Sequence, residues 1–418
     1  MIGTGVFTSL GFQVTDLPSG FAIVALWSIG GICALCGALS YAELGAALPR
    51  SGGEYNFLTE IYHPAVGFLA GWISVTVGFA APVAIAAMPF GTYLAELFPG
   101  TNPLLAALAV VWLTTLVLLL DLRLGSAFQM GATLLKVGLI VGIIVAGLLV
   151  RQTAAVSFAP TRMDLGLIVS GPFAVSLFWV MYAYSGWNAS TYITGELRNP
   201  TRNIVLSVGL GTLLVTVLYV LLNVVFLRTA PVAELAGKQQ VAMVAGTHIF
   251  GTGGSRVMAG LICAGLVSTI SAMMWIGPRV TATMGEDYRV FSWMSRRTRN
   301  GVPAAAMLAQ FTIVNVLLLV ASFQSVVNYV QFSLTLCSAL TVFGVYVLRW
   351  RQPNLPRPYR VLGYPITPAI FLAISGWMLC HLLADAKTRG PSLLGAATIA
   401  FGLVFYFLSP KNAPPPAV

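Results

Sequence analysis

Apolar runs of about twenty residues follow one another along this chain with short polar interruptions between them, and a helix needs a run of that length to cross a bilayer. The pattern predicts a shortened first segment from Met1 to about Val14, then helices near 20–46, 66–95, 103–120 and 126–150. A second series is expected near 166–194, 203–227, 255–283, 303–322, 325–349, 365–384 and 391–408. The fold class is therefore an all-α integral membrane protein with about twelve spans, the first cut short. No stretch remains for a sizeable soluble domain.

Two of these segments carry a break in their own composition. A membrane helix satisfies its backbone internally, yet Ser185-Gly186 lies between bulky aromatics in Tyr182-Ala183-Tyr184-Ser185-Gly186-Trp187-Asn188, and that composition lets a helix open. Small residues also let helices pack closely, which is the competing reading of the same stretch. Gly3-Thr4-Gly5 precedes the apolar Val6-Phe7 in the same way that Ser185-Gly186 precedes Trp187. Two glycine-interrupted segments five helices apart are the sign of an inverted-repeat transporter, with its site between the interrupted helices.

Composition agrees with the pattern: 58% of residues are hydrophobic and 8% charged, with a mean hydropathy of +0.88. The formal charge of +10 does not point to nucleic acid, because Lys and Arg are scattered over loops beside the apolar runs, where they orient helices. Fourteen of them fall on the side holding the 46–66, 120–126, 195–203, 279–302 and 349–364 loops and the C-terminus, and seven on the other. Both chain ends are expected in the cytoplasm, and no basic n-region opens the chain, so no signal peptide is expected. Cys33, Cys36, Cys263, Cys337 and Cys380 all fall inside predicted helices and read as packing residues rather than a redox pair. His63, His248 and His381 fall at loops or helix ends, so neither a metal site nor a cofactor is expected. A polytopic membrane enzyme would need convergent catalytic groups at membrane depth, and a channel would need a filter repeat or a charged ring.

Longer motifs carry a resemblance. Tyr41-Ala42-Glu43-Leu44-Gly45 with Pro49-Arg50-Ser51-Gly52-Gly53-Glu54-Tyr55 resembles the loop after the second helix of the amino acid-polyamine-organocation superfamily. Gly3 to Phe7 resembles its first-helix motif, and Tyr182 to Trp187 with Glu196 to Ile204 is similar to the sixth helix and following loop of its L-type amino acid transporter branch. Gly277-Pro278-Arg279 with Val302-Pro303 resembles the stretch joining its eighth and ninth helices. The resemblance implies a LeuT-type core of two five-helix inverted repeats, 1–150 and 166–350, with two further helices over 365–409 and a cytoplasmic tail over 410–418. It also implies sodium-independent transport of amino acids, by exchange or proton coupling, in the cell membrane. The half-helix that the family carries before its glycine motif is not in this sequence, and an inactive fragment is the expectation that follows if it is needed. Eukaryotic L-type members join a heavy-chain glycoprotein through a cysteine between helices three and four. The loop Leu97 to Pro103 has no cysteine, so no such partner, and a bacterial type of protein, are expected.

An amino acid is a zwitterion, and opened helices offer partial positive charge at an N-terminal end and partial negative charge at a C-terminal end. Gly3, Thr4, Gly5 and Val6 are candidates to hold the carboxylate, and carbonyls near Tyr182, Ala183, Ser185 and Gly186 the ammonium. The resemblance makes Tyr182 a lid over substrate, with packing or lipid contact the alternative, and has Trp187 and Asn188 shape the side-chain pocket. Lys136 lies deep in a span, where a charge is costly and functional by default. In relatives the matching lysine occupies the region where sodium-coupled relatives bind an ion, against helices one and eight, so Ser268 and Ser271 are its candidate partners. A fixed cation, a proton carrier and a structural tether all remain open for it. Tyr219 matches a tyrosine linking the site to the inner gate. Glu43 and Glu196, beside Arg50, Arg198 and Arg202, read as gate or anchor ion pairs. A cationic side chain would need an acidic residue deep in a span. None is evident, which favours neutral amino acids over polyamines or cationic amino acids.

Overall fold

The computed structural model describes residues 1–120, 123–150, 156–196 and 199–409. Its elements are α1 (Gly5–Asp16), α2 (Gly20–Ala47), α3 (Glu54–Ile61), α4 (Pro64–Leu97), α5 (Pro103–Leu120), α6 (Arg123–Leu149), α7 (Arg162–Ile168) and α8 (Gly171–Tyr184). A 3-10 segment, Ala189–Glu196, leads to α9 (Pro200–Thr229), α10 (Val232–Leu235), α11 (Val241–Asp287), α12 (Ala304–Val320), α13 (Phe323–Arg351), α14 (Ile366–Ala384) and α15 (Ala386–Leu408). Among the described residues nine helices are long and apolar enough to cross a membrane, and α7 with α8, bent by 66°, makes a tenth. Adding the shorter apolar α12 and the short α1 gives the predicted set of eleven spans and one brief first segment.

Four details differ from the apolar pattern, each for a local reason. The run expected over 166–194 is broken twice, because Ser170 caps a new helix by accepting from Phe173 N at 3.3 Å and because the α-helix ends at Tyr184. The helix expected from 255 begins at Val241 and is kinked at Gly251, whose φ is +74°. The last helix starts at Ala386, ahead of Pro391, where Asp385 accepts from Lys387 N at 2.7 Å. Within the loop expected over 46–66 the structure places α3, which is buried along most of its length. The tail 410–418, Arg198 and the Glu196 side chain lie outside the described residues.

Helix α2 packs along α9, and α11 lies against α4 and α6. Large apolar side chains such as Leu116, Leu120, Leu210 and Phe407 face outward, as a hydrocarbon solvent permits. Inside, α1 fastens itself to α8 and to α2 through polar groups. Ser9 Oγ donates to the Trp179 carbonyl at 3.3 Å, and Gln13 accepts from Trp27 Nε1 at 2.9 Å. Cys33, Cys36, Cys263 and Cys337 are buried and free, whereas Cys380 is exposed rather than packed.

The expected ion pairs have other partners. Glu43, fully buried, takes a bidentate hydrogen bond from Arg349 at 2.9 and 2.6 Å and a third from Val361 N at 2.7 Å. Arg50 instead pairs with Asp287, at 2.8 and 2.9 Å, to which Tyr55 also donates. The reason is that the last turn of α13 and the end of α11 close over the α2–α3 connection. Removing one partner of a buried pair leaves the other charge uncompensated, at about 3 kcal/mol or more. Arg349→Ala should therefore lower the melting temperature of the detergent-solubilised protein by several degrees. An unchanged melting temperature would show that Glu43 does not depend on it.

Candidate functional site

Residues 1–4 precede the first helical turn, and Phe7 N bonds back to the Thr4 carbonyl at 2.9 Å. The other amides at this end, those of Gly5 and Val6 among them, are the donors that a helix start leaves without an intrahelical partner. Against them lies the end of α8. Ser185 leaves the helical region with φ −54° and ψ 152°, and Gly186 has φ +86°, a left-handed conformation that favours glycine. Residues 185–188 are neither α nor 3-10, and Ala189 N resumes with a bond to the Gly186 carbonyl at 3.2 Å. Contact between the two openings is as close as backbones allow: a Cβ on Gly5 would lie 2.4 Å from Ala183 Cα. One cavity is lined by Gly3, Thr4 and Gly5 on one side and Tyr182, Ala183 and Ser185 on the other, with Pro82, Thr269 and Met273 closing it. Among its described lining residues none carries a charged side chain.

Tyr182 and Thr4 are joined by a short hydroxyl–hydroxyl hydrogen bond across this cavity. One turn earlier on α8, Trp179 stacks on Phe12 with centroids 4.8 Å apart and lies 6.2 Å from Phe323. These rings separate the cavity from a larger polar hollow lined by Phe12, Trp179, Asn328, His381 and Asp385. Val6 is wholly buried.

Lys136 lies midway along α6, and its Nζ donates to the Ile2 carbonyl at 3.1 Å. Its stem packs over Gly265, and Thr269 donates to the same Ile2 carbonyl at 3.4 Å. Gly265 and Thr269 are one turn apart on α11 and share a face. Ser268 is turned from that face and donates to Gln129 Oε1 at 2.9 Å, while Ser271 lines an apolar hollow with Phe90 and Leu94. Neither serine is hydrogen-bonded to Lys136 among the described residues; Thr269, which the sequence reading passed over, takes that place. Tyr219 donates to the Met1 carbonyl at 2.9 Å and packs against Trp27 and Tyr184, at 5.8 and 5.2 Å.

Trp187 and Asn188 turn toward a second cavity, which shares Pro82, Ser185 and Met273 with the first. Trp187 is buried with its ring centroid 4.7 Å from that of Tyr41. Asn188 Nδ2 donates to Glu54 Oε1 at 3.3 Å and to Tyr192 Oη at 3.2 Å. Glu54, 2% exposed, lines this second cavity. The sequence places no acidic residue deep in a span, and Glu54 does not lie in one; it reaches the cavity because α3 folds inward from the loop rather than lying on the surface. The signal available was Gly52-Gly53 just before Glu54: both glycines have positive φ, +116° and +53°, and turn the chain inward.

The family model described as amino acid permease matches residues 1–414. The chain belongs to the amino acid permease family. It is an amino acid transporter and not an enzyme, built on that family's LeuT-type helical fold. Among its relatives is b(0,+)-type amino acid transporter 1 of Mus musculus, 30% identical over 98% of this chain and 84% of the relative. Asc-type amino acid transporter 1 of Mus musculus is 28% identical over 98% and 78%. Large neutral amino acids transporter small subunit 2 of Oryctolagus cuniculus is 29% identical over 98% and 77%. The permease's crossing gives a direct test. Gly5→Ala drives a Cβ into the backbone of α8, and a shift there should reduce amino acid transport at least tenfold. Gly211→Ala, which meets nothing within 4 Å, should transport normally. Equal activity in both variants would show that the crossing does not matter.

Proposed function

We propose that this permease is a sodium-independent carrier of neutral L-amino acids, working by exchange or proton coupling through alternating access. The observation that carries the reading is the first cavity. Gly3, Thr4 and Gly5 at the start of α1 line one side of it and Tyr182, Ala183 and Ser185 at the end of α8 the other, and none of its described lining residues carries a charged side chain. Such a pair of openings matches the carboxylate and ammonium of a zwitterion through backbone groups alone. Gly3 and Gly186 supply the space, Tyr182 covers the substrate, and Trp187 and Asn188 border its side chain.

Sodium independence rests on Lys136. Its ammonium meets the Ile2 carbonyl beside α11, so a fixed cation holds the first segment against α6 and α11 and a metal ion is not needed there. Tyr219 would follow movement of the same segment through its bond to the Met1 carbonyl. Residues 1–150 and 166–350 form the two inverted repeats of this reading, with α14 and α15 outside them. The excess of Lys and Arg on one set of loops supports both ends lying on the cytoplasmic side of the cell membrane. One relative is named a small subunit, but the loop between α4 and α5 has no cysteine, and this permease is proposed to work without a glycoprotein linked there. A second reading, a carrier of cationic amino acids, is favoured by Glu54 in the adjoining cavity.

Counterflow in proteoliposomes tests both readings. Without sodium, labelled alanine, serine or leucine should enter vesicles loaded with unlabelled neutral amino acids, and Lys136→Ala should cut the rate at least tenfold. Counterflow by lysine and arginine alone would transfer the assignment to the cationic reading. A sodium requirement would refute the role given to Lys136.

A further inference from the structure

Glu54 Oε1 accepts three hydrogen bonds, from Tyr41 Oη at 2.5 Å, Ser338 Oγ at 2.9 Å and Asn188 Nδ2 at 3.3 Å. Among the described residues no hydrogen bond reaches Oε2. The carboxyl is buried and lines the second cavity, so one oxygen is anchored and the other is left for whatever enters that space. A buried carboxyl with no cation beside it is costly when ionised, and burial pushes its pKa up while the three hydrogen bonds pull against that.

Among the described residues the groups that face it include no counter-charge. Tyr41 comes from α2, Tyr192 from the 3-10 segment, and Cys337 from α13, all neutral in their ordinary state. The charged residues of the packed elements are engaged elsewhere. Arg349 is on Glu43 and Arg50 on Asp287, while Arg351 donates to the Ile61 carbonyl at 3.0 Å. Glu60, on α3 itself, is exposed, and His63, which caps the start of α4 by accepting from Ala65 N, is at the surface. The first half of α4, Pro64–Ile73, contributes no titratable side chain.

Geometry also ties this carboxyl to the opened helix. Gly52 N donates to the Tyr192 carbonyl at 3.3 Å, and a Cβ on Gly53 would lie 2.5 Å from the Tyr192 ring. Asn188, in the opening itself, donates both to Glu54 and to Tyr192. Any displacement of residues 185–196 changes the donors around Oε1. A carboxyl whose stabilising donors come and go with the transport movement holds its proton more tightly in one state than in the other.

We propose that Glu54 is the proton-binding residue of this permease, its free Oε2 taking up a proton through the cavity at Ser185–Asn188 and carrying it in the direction of the amino acid. The proposal rests on the neutral amino acid reading and chooses proton coupling within it. A single open oxygen suits one proton, whereas a guanidinium is best met by both oxygens of a carboxylate. The movement is balanced: one proton is bound at Oε2 from the acidic side and released from Oε2 on the other.

Steady-state accumulation in proteoliposomes, with the membrane potential clamped, reads coupling independently of turnover rate. With the outside one pH unit more acidic, wild type should accumulate labelled alanine toward about tenfold, the ratio that one proton per amino acid allows. Glu54→Gln, which has no proton to gain, should level at equilibrium in the same gradient. Glu54→Asp keeps a carboxyl and should retain accumulation with a displaced pH midpoint, which tests the proposal even if the glutamine variant fails to fold. Wild type that exchanges alanine but ignores the gradient would overturn the proposal alone, as would accumulation by Glu54→Gln. Loss of lysine counterflow in Glu54→Gln, with its gradient response intact, would overturn it by assigning Oε2 to a cationic side chain. Absence of any counterflow by wild type would overturn the transport reading and the proposal together.

Discussion

The close approach of Gly5 to Ala183 is the constraint on which the rest of the molecule depends. Two helical segments meet there so closely that a Cβ on Gly5 would fall 2.4 Å from the Ala183 Cα and 2.6 Å from its Cβ, and both have lost their regular hydrogen bonding within a few residues of the contact. Unsatisfied amides and carbonyls at membrane depth are costly unless protein or a polar ligand covers them. Everything around the crossing serves that need. Tyr182 and Thr4 bond across it, Lys136 and Thr269 satisfy the Ile2 carbonyl, and Tyr219 satisfies that of Met1. What remains open between Thr4 and Ser185 is the cavity proposed to receive the zwitterion.

The surroundings divide into a closed side and a polar side. Phe12, Trp179 and Phe323 stack between the crossing and the hollow at His381 and Asp385. Toward α3, by contrast, the space continues past Ser185 to Asn188 and Glu54. Ion pairs of Glu43 with Arg349 and of Arg50 with Asp287 fasten the ends of α2, α11 and α13 around that side. Movement of the 3-10 segment would therefore reach Glu54 and these pairs before it reached the aromatic stack.

Much of this was legible in the sequence because the bilayer imposes long apolar runs, and the breaks at Gly3-Thr4-Gly5 and Ser185-Gly186 interrupt those runs visibly. The prediction that Lys136 lies deep in a span followed from its place within the apolar run 126–150, and the structure puts it midway along α6. What could not be read was rotation about helix axes. Ser268 and Ser271 were plausible partners by position, but Gly265 and Thr269 share the face toward Lys136. Hydropathy was equally silent on α3, since a buried helix folded back between spans looks like a polar loop. Glu43 found Arg349 rather than the arginines near it in sequence, a pairing made by α13 arriving from about three hundred residues away.

The measurement closest to the central claim is an experimental structure of the permease with a transported neutral amino acid bound. The account predicts the carboxylate against the amides of Gly5 and Val6, the ammonium against carbonyls between Tyr182 and Ser185, and the side chain directed toward Trp187 and Asn188. An amino acid seated only in the hollow at Phe12 and His381, with the crossing empty, would contradict it.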